Sequence, residues 1–398
     1  MAVTYLYLDD EDPERVRPFI RAVKRGVDGL DIVLDHPSPY RDQIDELEGK
    51  DFDGLILDLR LDQFTGWAAE GEDAEKADYR AATLAQEIRT RAAEHSAKKG
   101  ERGQGEYPIV LWSTDERLDE SYERDHTSHN LFDLLCVKGH ITSDDEGVED
   151  EKKASWVARR LVALAEGYDA VAATRDEVGR KKGQFHRFLG FDERPEFLDE
   201  RVASLEPFDQ RLLFRPAHEY ARFIRRELLE TTGPLIDRST LAARLGVDAA
   251  ASRDADSLFD EHLADAVYKG PFALGWPRWW AQRVEDVWRG LVGADRALRP
   301  LPASERVELL KERTGLKRLH AATPLLPDQS SRFWVSCRAT GAPIDPRDGF
   351  VLDSQKRFPW QDDDYVSFKA VRRGLRETGL RLSPSERKRA EMAKKRHG

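Results

Sequence analysis

The stretch Asp53–Asp62 reads DGLILDLRLD, and it decides the predicted fold. Its apolar run Gly54–Leu57 has no polar interruption, which is typical of a strand buried on both faces of a parallel sheet. Asp58 follows directly at the carboxyl end of that strand. Open parallel sheets bind their ligands outside the carboxyl ends of the strands. The stretch therefore predicts a central strand with a polar site at its end.

Other parts of the first 170 residues alternate between strand and helix patterns. Further strands are predicted at Thr4–Leu8, Asp31–Leu34, Pro108–Trp112 and Leu134–Val137. Helices are predicted at Pro13–Arg25, Tyr40–Glu48, Ala81–Ala93 and Ala154–Tyr168, the last with Trp156 facing inward. Such alternation predicts an α/β fold in which a five-stranded parallel sheet carries helices on both faces.

Most of these strands run into a polar or ionisable residue: Asp9 and Asp10, Asp58, Ser113 with Thr114, and Lys138. Carboxylates held close together repel one another and require a cation, and oxygen ligands favour Mg²⁺. With the metal bound, one carboxylate can attack a phosphoryl donor while a lysine neutralises the transferred oxygens. A hydroxyl at the end of the fourth strand can bond a phosphate oxygen. This pattern predicts a phosphoryl-accepting, charge-triggered switch.

Four segments in this order, YLYLDDEDPERVRPFI, DGLILDLRLD, YPIVLWSTDE and FDLLCVKGH, resemble the receiver domain of two-component response regulators. The resemblance implies a flavodoxin-like doubly wound sheet, phosphorylated by a histidine kinase or phosphotransfer protein. It implies that Asp58 is the phosphoacceptor and that Asp9, Asp10, Asp58 and the backbone carbonyl of Arg60 bind Mg²⁺. Ser113 takes the place of the switch hydroxyl, and Lys138 contacts the phosphoryl group.

Three features depart from the family pattern. The chain between Asp58 and Ser113 is longer than usual. Gly139 follows Lys138 where the family usually has a proline. Leu135 occupies the position of the aromatic switch residue, so the usual coupling of hydroxyl and aromatic is not expected here.

The charge is divided unevenly along the chain. Residues 1–150 hold 37 acidic and 18 basic residues, a net charge of −19, whereas the remainder carries +8. A basic half favours nucleic acid or an acidic protein surface as its partner, and the chain supplies an acidic surface of its own. We therefore expect the halves to dock electrostatically, in a manner that phosphorylation alters.

The predicted organisation has three parts. Residues 1–170 form the receiver, with a long charged insertion at 62–106 that lies outside the core. Residues 171–325 form a helical output domain. Residues 326–398 form a β-hairpin, pairing Arg332–Arg338 with Gly349–Leu352, and a basic C-terminal tail.

Three features of the back half allow two interpretations each. Asp237–Asp248 is typical either of a capped helix ending at Gly246, which we prefer, or of the start of a helix-turn-helix with a reading helix at Asp254–Val267. The aromatic stretch Trp276–Trp288 fits a core or interface better than base stacking. The basic tail Arg387–Arg396 fits a solvated or fraying helix, or an arm that binds acidic partners.

Composition excludes several classes of protein. No apolar run has the roughly 20 residues that span a bilayer, and no secretory signal is evident, so we expect a cytoplasmic protein without a membrane partner. Two cysteines, Cys136 and Cys337, exclude a disulfide scaffold. His126, His129 and His140 are interpreted as surface histidines. The output region has no Walker loop or nucleophile elbow, so no enzymatic activity is expected beyond phosphoryl transfer within the receiver.

The sequence therefore predicts a response regulator whose helical output acts through an unidentified protein partner. Homodimerisation is left open. Three alternatives remain: a DNA-binding transcriptional regulator, a non-phosphorylated pseudo-receiver adaptor in a defence or stress assembly, and an enzyme with an unrecognised site in residues 170–398.

Overall fold

The structure is a computed structural model that describes residues 2–63, 77–95, 105–113, 131–138, 148–178, 183–203, 215–353, 358–375 and 378–397. The chain divides into two compact units. The first unit comprises Met1–Glu193, Glu206–Ile224 and Gly270–Trp276. The second comprises Arg194–Leu205, Arg225–Lys269 and Pro277–Gly398.

A five-stranded parallel sheet forms the centre of the first unit. Its strands are β1 (Val3–Leu8), β2 (Leu30–Asp35), β3 (Gly54–Asp58), β4 (Ile109–Ser113) and β5 (Leu134–Val137). They lie in the order β2-β1-β3-β4-β5. This is the flavodoxin-like order, so the predicted fold class is confirmed.

Four helices of the first unit correspond to the predicted ones: α1 (Pro13–Lys24), α2 (Tyr40–Gly49), α3 (Ala81–His95) and α4 (Val148–Val178). Helix α1 begins as its sequence requires, since the Asp12 carboxylate accepts from the Glu14 amide and Pro13 occupies the first turn. Its apolar stripe, which includes Val16 and Phe19, is buried.

The insertion at 62–106 is only partly outside the core. A short 3₁₀ turn, Leu61–Gln63, follows β3, and residues 64–76 and 96–104 lie outside the described residues. Ala77 and Tyr79 pack in the same core as the strands, and Glu106 is buried. The prediction that this segment lies outside the core, apart from its helical piece Ala81–Ala93, was therefore wrong for these residues, because alanine and tyrosine side chains join the core before α3 begins.

Helix α4 is longer than the sequence pattern indicated, and the predicted boundary at residue 170 falls inside it. Trp156 is 47% exposed rather than inward-facing, so that prediction was wrong. Two other elements of the first unit pack against α4: the 3₁₀ segment Phe185–Leu189 and helix α5 (Ala217–Phe223).

The second unit is mainly helical, with short strand pairs, as predicted. Its helices are α6 (Arg238–Leu245), α7 (Ala281–Val292), α8 (Ala303–Thr314), α9 (Phe368–Arg373) and α10 (Pro384–His397). Shorter helical pieces are Glu200–Ala203, Ala255–Ser257, Leu258–His262 and Ala264–Ala266, and a π-helical segment, Ile224–Leu229, follows α5. The aromatic stretch is core: Trp279, Trp280 and Trp288 are buried here, and Trp276 is buried in the first unit.

The preferred interpretation of Asp237–Asp248 is confirmed. Asp237 caps α6 by accepting from the Thr240 amide, and Gly246 ends it in the left-handed conformation at φ 73°. The segment proposed as a reading helix, Asp254–Val267, is broken into short helical pieces. Within α6, Thr240 to Leu245 are buried and Arg238 is exposed.

The strand pairing near the C-terminus differs from the predicted hairpin. β8 (Val335–Ser336) pairs with β9 (Pro343–Ile344), and β10 (Phe350–Val351) pairs with β11 (Tyr365–Val366). A third pair joins β6 (Leu235–Ile236) to β7 (Trp279–Trp280). The predicted partners therefore belong to two separate hairpins. Strand β9 lies in the loop that was predicted to join the two partners, so β8 pairs with this loop and not with Gly349–Leu352.

Part of the basic tail packs against the second unit. Ala390 of α10 is buried in a cluster with Phe350, and the Arg389 guanidinium lies 4.6 Å from the Phe350 ring centroid. The prediction that the tail is solvated was therefore wrong for this face of α10.

Candidate functional site

The ends of four neighbouring strands bring the predicted site residues together. Leu8 pairs with Leu57, which places Asp9 beside Asp58. Ser113 pairs with Val137, the residue before Lys138. Because all five strands are parallel, these residues meet at one edge of the sheet. The predicted grouping thus follows from register.

Lys138 bridges two carboxylates of this site. Its Nζ donates to Asp9 Oδ2 and to Asp58 Oδ1, each at 2.7 Å. Lys138, Asp9 and Asp58 are all buried, and Asp9 is fully so. Two backbone amides hold the remaining oxygens: Glu11 N–H donates to Asp9 Oδ1 and Arg60 N–H to Asp58 Oδ2, both at 2.9 Å. These contacts fix both carboxylates in place.

Burial and mutual repulsion disfavour the charged forms of the acidic side chains in this site. Burial raises the pKa of Asp10 to about 6, with further contributions from Asp58 and Asp9. Burial also raises the pKa of Asp58, although Lys138 opposes that shift. Burial disfavours the ammonium of Lys138, but Asp58 and Asp9 outweigh it and raise its pKa. The site therefore carries excess negative charge that a cation would relieve.

Tyr7 is a site residue that the sequence reasoning missed. Its hydroxyl donates to Asp9 Oδ2, and the side chain is fully buried. Burial, reinforced by Asp9 and Asp58, raises the pKa of Tyr7 well above its ordinary value, so the phenol remains a donor. The signal was present in YLYLD, because side chains two positions apart in a strand share a face.

Two other predicted residues lie near the cluster. Ser113 is buried at the end of β4, next to the strand that carries Lys138. Arg60 follows Asp58 by two residues, and its amide contacts Asp58. Thr114, Gly139, His126, His129 and His140 lie outside the described residues.

The cluster fits a hard divalent cation. Asp9, Asp10 and Asp58 each offer one oxygen, and these three atoms lie within 4.8 Å of one another. The donor set contains only oxygen, which suits Mg²⁺ and not a thiolate-preferring metal. A bound cation would counter the negative charge of Asp58 and Asp9, which contributes to the raised pKa of Asp10.

Among the described residues, no helix is long and apolar enough to cross a membrane.

Comparison with protein-family models gave no match, and a search of curated proteins also gave none. Solved structures similar to this chain include a CheY-like response regulator receiver domain from Methylobacillus flagellatus. It is 14% identical, and the match covers 35% of this chain and 87% of that one with a TM-score of 0.22.

A sensor protein from Polaromonas sp. JS666 is also 14% identical, with 39% of this chain and 97% of that chain covered at a TM-score of 0.24. RcsB from Salmonella enterica serovar Typhimurium, solved bound to a promoter with the phosphomimetic BeF3⁻, is 11% identical. That match covers 44% of this chain and 76% of RcsB, with a TM-score of 0.23. These similarities concern the fold alone.

Proposed function

We propose that the first unit is a Mg²⁺-dependent receiver that accepts a phosphoryl group on Asp58 from a histidine kinase or phosphotransfer protein. The observation that carries this proposal is the contact set of Lys138, whose Nζ lies 2.7 Å from both Asp9 and Asp58 inside a cluster of three carboxylates. A lysine and three acids at one sheet edge match the chemistry of phosphoryl transfer.

The step is a displacement at phosphorus. A carboxylate oxygen of Asp58 attacks the phosphorus and forms an acyl phosphate, while the P–N bond to the donor imidazole breaks and its electron pair returns to the ring nitrogen. Lys138 already contacts Asp58, so its ammonium is positioned to neutralise the transferred oxygens. The Arg60 amide orients Asp58 by holding its other oxygen.

Asp9, Asp10 and Asp58, with the carbonyl of Arg60, are the groups proposed to hold Mg²⁺. The bound ion supplies positive charge that shields the incoming phosphoryl group from the carboxylates. The Tyr7 hydroxyl and the Glu11 amide hold Asp9 in place by donating to its Oδ2 and Oδ1.

In the phosphorylated state, Ser113 and Lys138 are proposed to turn toward the phosphoryl oxygens. Both residues are buried next to each other at the ends of β4 and β5. A rearrangement there would alter the β4–β5 face of the unit. The second unit is proposed to act as a protein-binding output, because the segment predicted to read DNA, Asp254–Val267, is broken into short helical pieces.

The test is beryllofluoride binding, followed by fluorine NMR of the full chain with Mg²⁺. Wild type is expected to give a protein-bound resonance that disappears in Asp58→Asn. The matched control is Asp62→Asn, an exposed carboxylate four residues away, which should bind as wild type does. Absence of a bound signal in wild type would reject the receiver function in favour of the pseudo-receiver alternative.

A further inference from the structure

The segment Gly270–Trp276 belongs to the first unit, although it lies far along the chain from the sheet. The residues on either side of it, Lys269 and Pro277, belong to the second unit. The chain therefore leaves the second unit for seven residues and packs them on the first.

Phe272 of this segment has a strained backbone. Its φ is 70°, and it is the non-glycine residue with positive φ among those described. A bulky side chain in this region is a conformational outlier that survives only where the surroundings hold it. Phe272 is almost completely buried, so packing holds it.

A glycine in helix α4 makes room for the Phe272 ring. A β-carbon at Gly167 would lie 2.2 Å from ring atom Cε1 of Phe272. Real β-carbons do not approach other atoms that closely, so any side chain at this position would displace the ring. Glycine inside a helix lowers the stability of the helix relative to alanine. We therefore interpret Gly167 as a residue that makes room for the Phe272 ring.

The rest of the segment follows the same face of α4. Gly275 lies against Ala163 and Arg160, where a β-carbon would come within 3.0 Å of each. The Arg160 guanidinium also lies 4.6 Å from the Trp276 ring centroid. Arg160, Ala163 and Gly167 are spaced three and four residues apart, so they share one face. We call this face the α4 seat.

Helix α4 is tied to the strands that carry the carboxylate cluster. Tyr5 of β1 donates its hydroxyl to the Leu161 carbonyl at 2.7 Å. Tyr168 donates to Asp133 Oδ2 at 2.8 Å, and Asp133 directly precedes β5. Ala163 and Gly167 of the α4 seat lie between these two anchors along the helix. Asp9 and Lys138 directly follow strands β1 and β5, so a change in either strand bears on α4.

We propose that the α4 seat is an intramolecular docking surface whose occupant is Gly270–Trp276, and that it passes the state of the first unit to the rest of the chain. This inference rests on the proposed phosphorylation of Asp58. With Phe272 seated, its backbone is strained, and with Phe272 released, the strain is relieved. Phosphorylation shifts α4 and favours release.

The test is hydrogen–deuterium exchange of the full chain, with and without Mg²⁺ and beryllofluoride. In wild type, amide exchange in residues 270–276 should rise about tenfold when beryllofluoride binds, since unseating exposes amides that packing had protected. In Gly167→Ala, exchange there should already be high and should not rise further, while beryllofluoride still binds.

Two further variants keep the result interpretable. Gly290→Ala is a matched helical control, because a β-carbon at Gly290 meets nothing within 4 Å, and it should behave as wild type does. Phe272→Gly removes the ring and relieves the φ strain, so it should give the Gly167→Ala phenotype even if that variant folds poorly.

The outcomes separate this inference from the proposed function. If beryllofluoride binds but exchange in residues 270–276 is unchanged, the docking inference is wrong while the receiver function stands. If Gly167→Ala responds as wild type does, the inference is also wrong. If beryllofluoride does not bind to wild type, the receiver function and the docking inference are both wrong.

Discussion

Lys138 and Asp58 are 80 residues apart in the sequence, yet Lys138 Nζ lies 2.7 Å from Asp58 Oδ1. Both side chains are buried. A buried carboxylate is costly without a partner, and here one ammonium serves two carboxylates. This relationship governs the stability of the site and its proposed chemistry.

Replacing Lys138 with methionine should destabilise the fold by about 3 kcal/mol at neutral pH, because it leaves Asp9 and Asp58 buried without their cation. Chemical denaturation without divalent ions measures this. Lys50→Met is the control: Lys50 pairs with Asp35 at 2.5 Å near the surface and should cost less than about 1 kcal/mol. Equal losses in both variants would contradict the account.

The raised pKa of Asp10 predicts a pH dependence with a defined sign. The folded pKa of about 6 exceeds the ordinary value near 3.9, so the folded state binds more protons between these values. Without divalent cations, stability should therefore fall as pH rises from about 4 to about 6. Denaturation midpoints across this range measure the effect, and Asp10→Asn should flatten it. An unchanged slope in the variant would show that Asp10 is not responsible.

Magnesium affinity should follow the same titration. Protons compete with the metal for the carboxylates, so affinity should decrease below about pH 6. Calorimetric titration of wild type at several pH values checks this. A constant affinity from pH 5 to pH 8 would contradict binding at this cluster.

Tyr7→Phe should cost about 1–2 kcal/mol in stability, because a hydrogen bond to a charged group is lost. It should also weaken Mg²⁺ binding several-fold, since Asp9 loses one of its constraints. Tyr5→Phe is a close control on the same strand, because it removes a bond to the Leu161 carbonyl. Tyr5→Phe should leave Mg²⁺ affinity unchanged. If Tyr5→Phe weakened Mg²⁺ binding as much as Tyr7→Phe does, the effect of Tyr7 would be a general loss of stability and not a contribution to the metal site.

Arg175 is expected to be essential to the first unit. It forms a buried ion pair with Glu106 at 2.5 Å, and Glu106 also accepts from the Ala217 amide of α5 at 3.0 Å. Arg175→Met should cost about 3 kcal/mol or more because the buried Glu106 carboxylate loses the guanidinium that balances its charge. Arg187→Met removes a more exposed pair with Glu177 and should cost less than about 1 kcal/mol. Denaturation of both variants compares them.

The sheet and its carboxyl edge could be predicted from sequence for a physical reason. Strands such as Gly54–Asp58 are buried on both faces, so they appear as uninterrupted apolar runs. Parallel strands end at the same edge, which brings Asp9, Asp58 and Lys138 together without knowledge of any long-range contact.

Other features depend on contacts that no local pattern records. Arg89 lies in the middle of α3, and only the folded structure brings its guanidinium to the buried Asp133 carboxylate. Trp156 has the spacing of a core residue, yet its side chain is 47% exposed. The seating of Phe272 on Gly167 joins residues more than a hundred positions apart. Short strand pairs such as β8 and β9 contain too few residues for a pairing signal.

The most direct test of the central claim is transfer of a phosphoryl group to Asp58. The full chain is incubated with Mg²⁺ and a small phosphodonor, and intact mass and peptide mapping are recorded. We expect one added phosphoryl group, located on the peptide that contains Asp58, removed by hydroxylamine and absent from Asp58→Asn. An unmodified wild-type chain, or the same modification in Asp58→Asn, would contradict the assignment.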